Sequence, residues 1–102
     1  MISDSGLSCQ LSGDKFQKRK AMLKNEIFTL VEKTEELEQG FSFHFKEKQG
    51  LDAKLLELVI AERNCCPFFE IKLHFLPFQT GINLEITGQK GVKEFIKTEF
   101  LN

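Results

Sequence analysis

Hydrophobic and polar positions alternate along three short stretches of the chain and recur at helical spacing along three others. In "FSFHFKE", Phe41, Phe43 and Phe45 share one side of an extended segment, while Ser42, His44 and Lys46 share the other. "FFEIKLHFLP" sets Phe69, Ile71, Leu73 and Phe75 against Glu70, Lys72 and His74, and "INLEIT" repeats the pattern with Ile82, Leu84 and Ile86. "PFQTG" between these two has the composition of a hairpin connection. "GLDAKLLELVIAERNCC" predicts a helix capped by Asp52 and running to Cys65, with Leu55, Leu56, Leu58 and Val59 along it. Pro67 ends it, because the residue before a proline is pushed out of the helical region. After the turn "GQKG", Val92, Phe95, Ile96 and Phe100 define a last helix.

The first third of the chain is less regular. Phe16, Met22 and Leu23 predict a weakly amphipathic helix from Asp14 to about Asn25, with Ser12 or Asp14 as its cap. The cluster Ile27, Phe28, Thr29, Leu30 and Val31 is β-branched and aromatic, so residues 26 to 34 are expected to form the first strand. "EQG" turns it into the Phe-rich strand.

The resulting order is α-β-β-α-β-β-α. Two hairpins, each with one apolar face, need a cover that the amphipathic helices can supply. The expectation is an α+β fold: a two-layer sandwich with a four-stranded, mostly antiparallel sheet and helices on one face. A ferredoxin-like arrangement is the alternative. Residues 1–13 read as a loose lead-in, and residues 14–102 as one domain.

Composition narrows the function without naming it. A chain of 102 residues, 41% hydrophobic and 28% charged, has ordinary globular usage. All eleven aromatic residues are Phe, so the core carries no phenol or indole polar group. A net charge of -1 provides no field to gather nucleic acid or an anionic membrane. The basic run Lys15, Lys18, Arg19, Lys20 and Lys24 reads as a solvated helix face, with a weak anion contact as the alternative. No signal-peptide pattern and no long apolar run is present, and three cysteines do not pair evenly. A cytoplasmic protein with resting thiols is expected.

The candidate chemistry lies at Cys65 and Cys66. At roughly 100° per residue, Leu55, Val59 and Glu62 fall within about 60° of one another, so Glu62 lies on or beside the buried stripe, one turn before the cysteines. A helix C-terminus disfavours a thiolate, and Arg63 is the nearest cation in sequence. The pair is adjacent and ends a helix, unlike the redox motif that spaces its cysteines by two residues and begins one. Two thiolates suit a soft ion, Zn²⁺, Cu(I) or Hg²⁺, with Glu62 or Cys9 as a further donor. His44 and His74 lie on the strand faces opposite the Phe rows, away from the pair. The competing reading is that "CCPFF" is a core plug, since free cysteine behaves as a small hydrophobe.

"ERNCCPFF" followed by "TGQKGVKEF" resembles a group of small bacterial proteins of undefined function that carry Glu-Arg-x-Cys-Cys-Pro-Phe and Thr-Gly-x-x-Gly-x-Lys-Glu-Phe. The matching positions are Glu62, Arg63, Cys65, Cys66, Pro67 and Phe68, then Thr87, Gly88, Gly91, Lys93, Glu94 and Phe95. The resemblance implies no particular reaction. The association of similar proteins with heavy-metal resistance neighbourhoods implies only a slight preference for thiophilic ions. No Ser/His/Asp set, paired carboxylates or P-loop can be picked out, so an enzyme is not expected. Two classes of function lead: a small binding protein using Cys65, Cys66 and Glu62, or an interaction module that forms a homo-oligomer through the wet sheet face or an exposed Phe. A thiol enzyme is the third, and needs a thiol that ionises below its ordinary range.

Overall fold

The structure is a computed structural model that describes residues 14–101. Its elements are α1 (Asp14–Phe28), β1 (Val31–Leu37), β2 (Gly40–Phe45), α2 (Leu51–Cys65), β3 (Glu70–Phe75), β4 (Ile82–Thr87) and α3 (Val92–Leu101), with a short 3-10 turn at Pro77–Gln79. The order α-β-β-α-β-β-α is as expected.

The four strands form one open sheet in the order β1-β2-β4-β3, with every neighbouring pair antiparallel. Two hairpins therefore lie side by side and are joined through β2 and β4. Register aligns Phe41 with Ile86, Phe43 with Leu84 and Phe45 with Ile82, so the alternating apolar positions form one continuous face. Leu23 and Ile27 of α1, Leu51, Leu55 and Leu58 of α2, and Val92, Ile96 and Phe100 of α3 pack onto that face. Each such fully buried side chain contributes about 1.5–3 kcal/mol before the entropy cost of ordering it. Phe28 meets Phe43 edge-on at 4.9 Å between ring centroids and stacks on Phe100 at 5.3 Å. Phenylalanine alone can thus build the aromatic core.

Two local expectations are corrected. The first strand does not begin at residue 26: residues 31 to 34 do belong to β1, whereas residues 26 to 28 belong to α1. Ile27 and Phe28 finish α1, because Leu23 and Ile27, four residues apart, both reach the core from a helix. Burial on that stripe outweighs β propensity. β1 instead comprises the mostly polar "VEKTEEL", at the edge of the sheet, where charged residues discourage pairing with another chain. Asp52 is also not the cap of α2. Gly50 takes that position at φ 84°, while Asp52 lies inside the first turn and its Oδ1 accepts from the Ala53 N–H.

At the other expected boundaries, Cys66 adopts φ -127°, ψ 75°, and α2 stops before Pro67. Gly91 enters α3 at φ 94°, in the turn that "GQKG" predicts. Asp14 is the first residue of α1, and Ser12 and Cys9 lie outside the described residues. No helix among the described residues is long and apolar enough to cross a membrane.

Candidate functional site

The last turn of α2 is anchored by its own apolar stripe. Leu51, Leu55 and Leu58 face the core, and continuing at helical spacing brings Glu62 and Cys65 inward with them. Glu62 is 1% exposed, and Cys65 and Cys66 are fully buried. The Cys66 N–H donates to the Glu62 carbonyl at 2.6 Å, closing the helix before Pro67.

A carboxylate at that depth calls for a cation. Arg63, the nearest in sequence, is exposed on another side of α2. The cation comes from α1: Lys20, 5% exposed, places Nζ 3.6 Å from Glu62 Oε1, 3.3 Å from Cys65 Sγ and 3.8 Å from Glu99 Oε2 of α3. Lys24 reaches the same Glu99 oxygen at 3.7 Å and lies over the Phe100 ring. The basic run is therefore not a uniformly solvated face. Arg19 forms a two-pronged pair with Glu57, with both bonds at 2.7 Å, and Lys20 turns into the protein.

Lys20 could have been found in the sequence. Phe16, Lys20, Leu23 and Ile27 stand at spacings of four, three and four, so Lys20 lies on the apolar stripe of α1.

The electrostatics of this pocket are set by burial. Glu62 has neither oxygen hydrogen-bonded among the described residues. Loss of solvent holds its carboxyl above the ordinary range, against the pull of Lys20 and Lys24. Burial also pushes the Cys66 thiol up to about 12, with the Glu62 charge adding to it. Cys66 is thus a protonated thiol at neutral pH, in line with its place at a helix C-terminus.

The two cysteines differ. Cys66 is free, whereas Cys65 is disulfide-bonded. No bond joins the adjacent pair, and the expectation of two resting thiols is corrected for Cys65. In this form the Lys20 ammonium lies against a disulfide sulfur, which has no proton to lose.

The other candidate donors lie elsewhere. His44 and His74 flank Asn83 in one register row on the sheet face away from the helices. His44 Nδ1 is 2.8 Å from Asn83 Oδ1, and its Nε2 is 3.3 Å from Glu35 Oε1. Among the described residues no group of three or more His, Cys, Asp or Glu side chains is arranged to hold a metal ion. No family model, curated protein or solved structure matches the chain.

Proposed function

We propose that this is a small binding protein for a thiophilic ion or another thiol-reactive ligand, competent when Cys65 is reduced. The observation that carries this reading is the Lys20 ammonium 3.3 Å from Cys65 Sγ, in a pocket shared with a buried, un-hydrogen-bonded carboxylate. A disulfide sulfur is a poor ligand, so the oxidised form is closed to the ion. A dithiol reductant opens it: the S–S bond at Cys65 breaks, two S–H groups form, and the reductant leaves as its own disulfide.

Lys20 then stabilises the Cys65 thiolate that results when its proton passes to water as the ion binds. The adjacent Cys66 supplies the second sulfur. A two-coordinate soft ion such as Cu(I) or Hg²⁺ needs no third donor, which suits this site better than tetrahedral Zn²⁺. Binding through both sulfurs displaces the Cys66 proton, and Glu62 is the neighbouring buried base that can take it. The motif resemblance points toward the same class of ligand.

The test is ion titration of the full chain before and after reduction by a dithiol, with Cu(I) or Hg²⁺ as the probe. One equivalent should bind only after reduction. Cys65→Ser should abolish binding, and Cys66→Ser should weaken it at least about tenfold. Equal binding before and after reduction, or full binding by Cys65→Ser, would overturn the proposal.

A further inference from the structure

α2 is apolar on two sides. Opposite its buried stripe, Ala53, Leu56 and Ile60 are exposed, with Leu56 and Ile60 each about half accessible at 52% and 51%. At about 100° per residue these three fall within about 60° of one another, centred away from the core. Two hollows flank the outer stripe. One, of about 230 Å³, is formed by Asp52, Ala53, Leu56 and the exposed Phe75 of β3. The other, of about 180 Å³, lies against α1 and includes Phe16, Leu23, Ile60 and Ala61.

We infer that this face docks on the same face of a second copy of the chain, with the two α2 helices antiparallel about a twofold axis near residue 58. Charge selects both the occupant and the direction. Asp52 and Arg63 stand at opposite ends of the stripe but on the same side of it, about 16 Å apart along the helix. Neither forms an ion pair among the described residues, whereas Glu57 is held by Arg19 and Lys54 by Glu26. In the antiparallel arrangement Asp52 of each copy comes alongside Arg63 of the other, and Ile60 of each crosses Leu56 of the other. An isologous contact makes every pair twice. A parallel arrangement would leave the two Asp52 level with each other on opposite flanks of the seam, and likewise the two Arg63, so neither charge would meet its opposite. The polar sheet face offers no comparable apolar surface. A contact of about three helical turns is at the small end of specific interfaces, so the equilibrium should be sought up to high protein concentration.

The experiment is analytical ultracentrifugation of the full chain in a dilution series up to about 200 μM, with folding of each variant checked by circular dichroism. The wild type should show a monomer–dimer equilibrium that Ile60→Asp abolishes. Leu56→Lys should do the same and stands in if Ile60→Asp fails to fold. Arg63→Asp should weaken association about tenfold or more, and the exchange Asp52→Arg with Arg63→Asp should recover most of it. A wild type that stays monomeric throughout would overturn the inference, whether the face is covered by another segment or reserved for a different protein. So would a dimer indifferent to Ile60→Asp and Leu56→Lys, or a charge exchange that folds yet recovers nothing.

Discussion

The pocket at the end of α2 and the open face of the sheet use nearly the same kinds of side chain in opposite ways. On the sheet face, Lys72 lies 3.6 Å from Glu85 and His44 lies 3.3 Å from Glu35, with solvent reaching each pair. At the end of α2, Lys20 and Glu62 stand at the same 3.6 Å separation with 5% and 2% of their side chains exposed. Exposed pairs contribute about 0–1 kcal/mol, because water solvates both partners and salt screens them. Buried pairs carry a desolvation cost that their attraction only partly offsets, and removing one partner exposes that cost. Burial, rather than the list of residues, therefore separates a surface from a candidate site.

The largest effect is expected from Lys20→Met. It leaves Glu62 buried without its cation and should cost about 3–5 kcal/mol at neutral pH by urea denaturation. Adding Glu62→Gln should return much of that loss. If Lys20→Met costs no more than a sheet-face substitution, the pocket has no special status.

Next in size is an alkaline effect at Cys66. Its thiol is raised from an ordinary 9.0 to about 12, so the folded state keeps a proton that the unfolded state loses. Stability should be undiminished below about pH 9 and should then fall by up to about 1.4 kcal/mol per unit until about pH 12. Cys66→Ala should lack this slope when denaturation is followed across that range. Native Cys66 should also alkylate far more slowly at neutral pH than a thiol in the unfolded chain.

Glu62 supplies a smaller effect at the acid end. Its carboxyl titrates above the unfolded value, so its contribution is fully present below that value and is lost as pH rises through the folded one. Glu26, Glu36 and Glu57 act oppositely: exposed and paired with Lys54, Lys93 and Arg19, they are held below the ordinary range and lose their contribution as pH falls. The difference between wild type and Glu62→Gln in acid titrations of stability should isolate the buried group. The smallest change is expected on the sheet face, where Lys72→Ala or His44→Ala should shift stability by no more than about 0.5 kcal/mol.

Much of this arrangement was legible from period and punctuation. The alternating rows around Phe43, Leu84 and Leu73 identified three strands, and Pro67 marked the end of α2. Glu62 was placed on the buried stripe by angle alone. The β-branched cluster from Ile27 to Val31 misled, because its local preference competes with a Leu23–Ile27 stripe that only packing rewards. Lys20 was overlooked as one of five nearby cations, although its spacing from Phe16 and Leu23 held the signal. No local pattern distinguishes Cys65 from Cys66.

The order of elements, the apolar face of the sheet and the acid beside two cysteines are all written in the order of residues. These follow from repeats of two and 3.6 residues, which are properties of neighbouring positions in the chain. Only packing shows that Lys20 crosses from α1 to meet Glu62 and Cys65, that Arg63 is left outside, and that a second apolar stripe of α2 is left uncovered by the described residues. Each depends on which groups lose water when distant helices pack together, and desolvation is a property of the assembled fold.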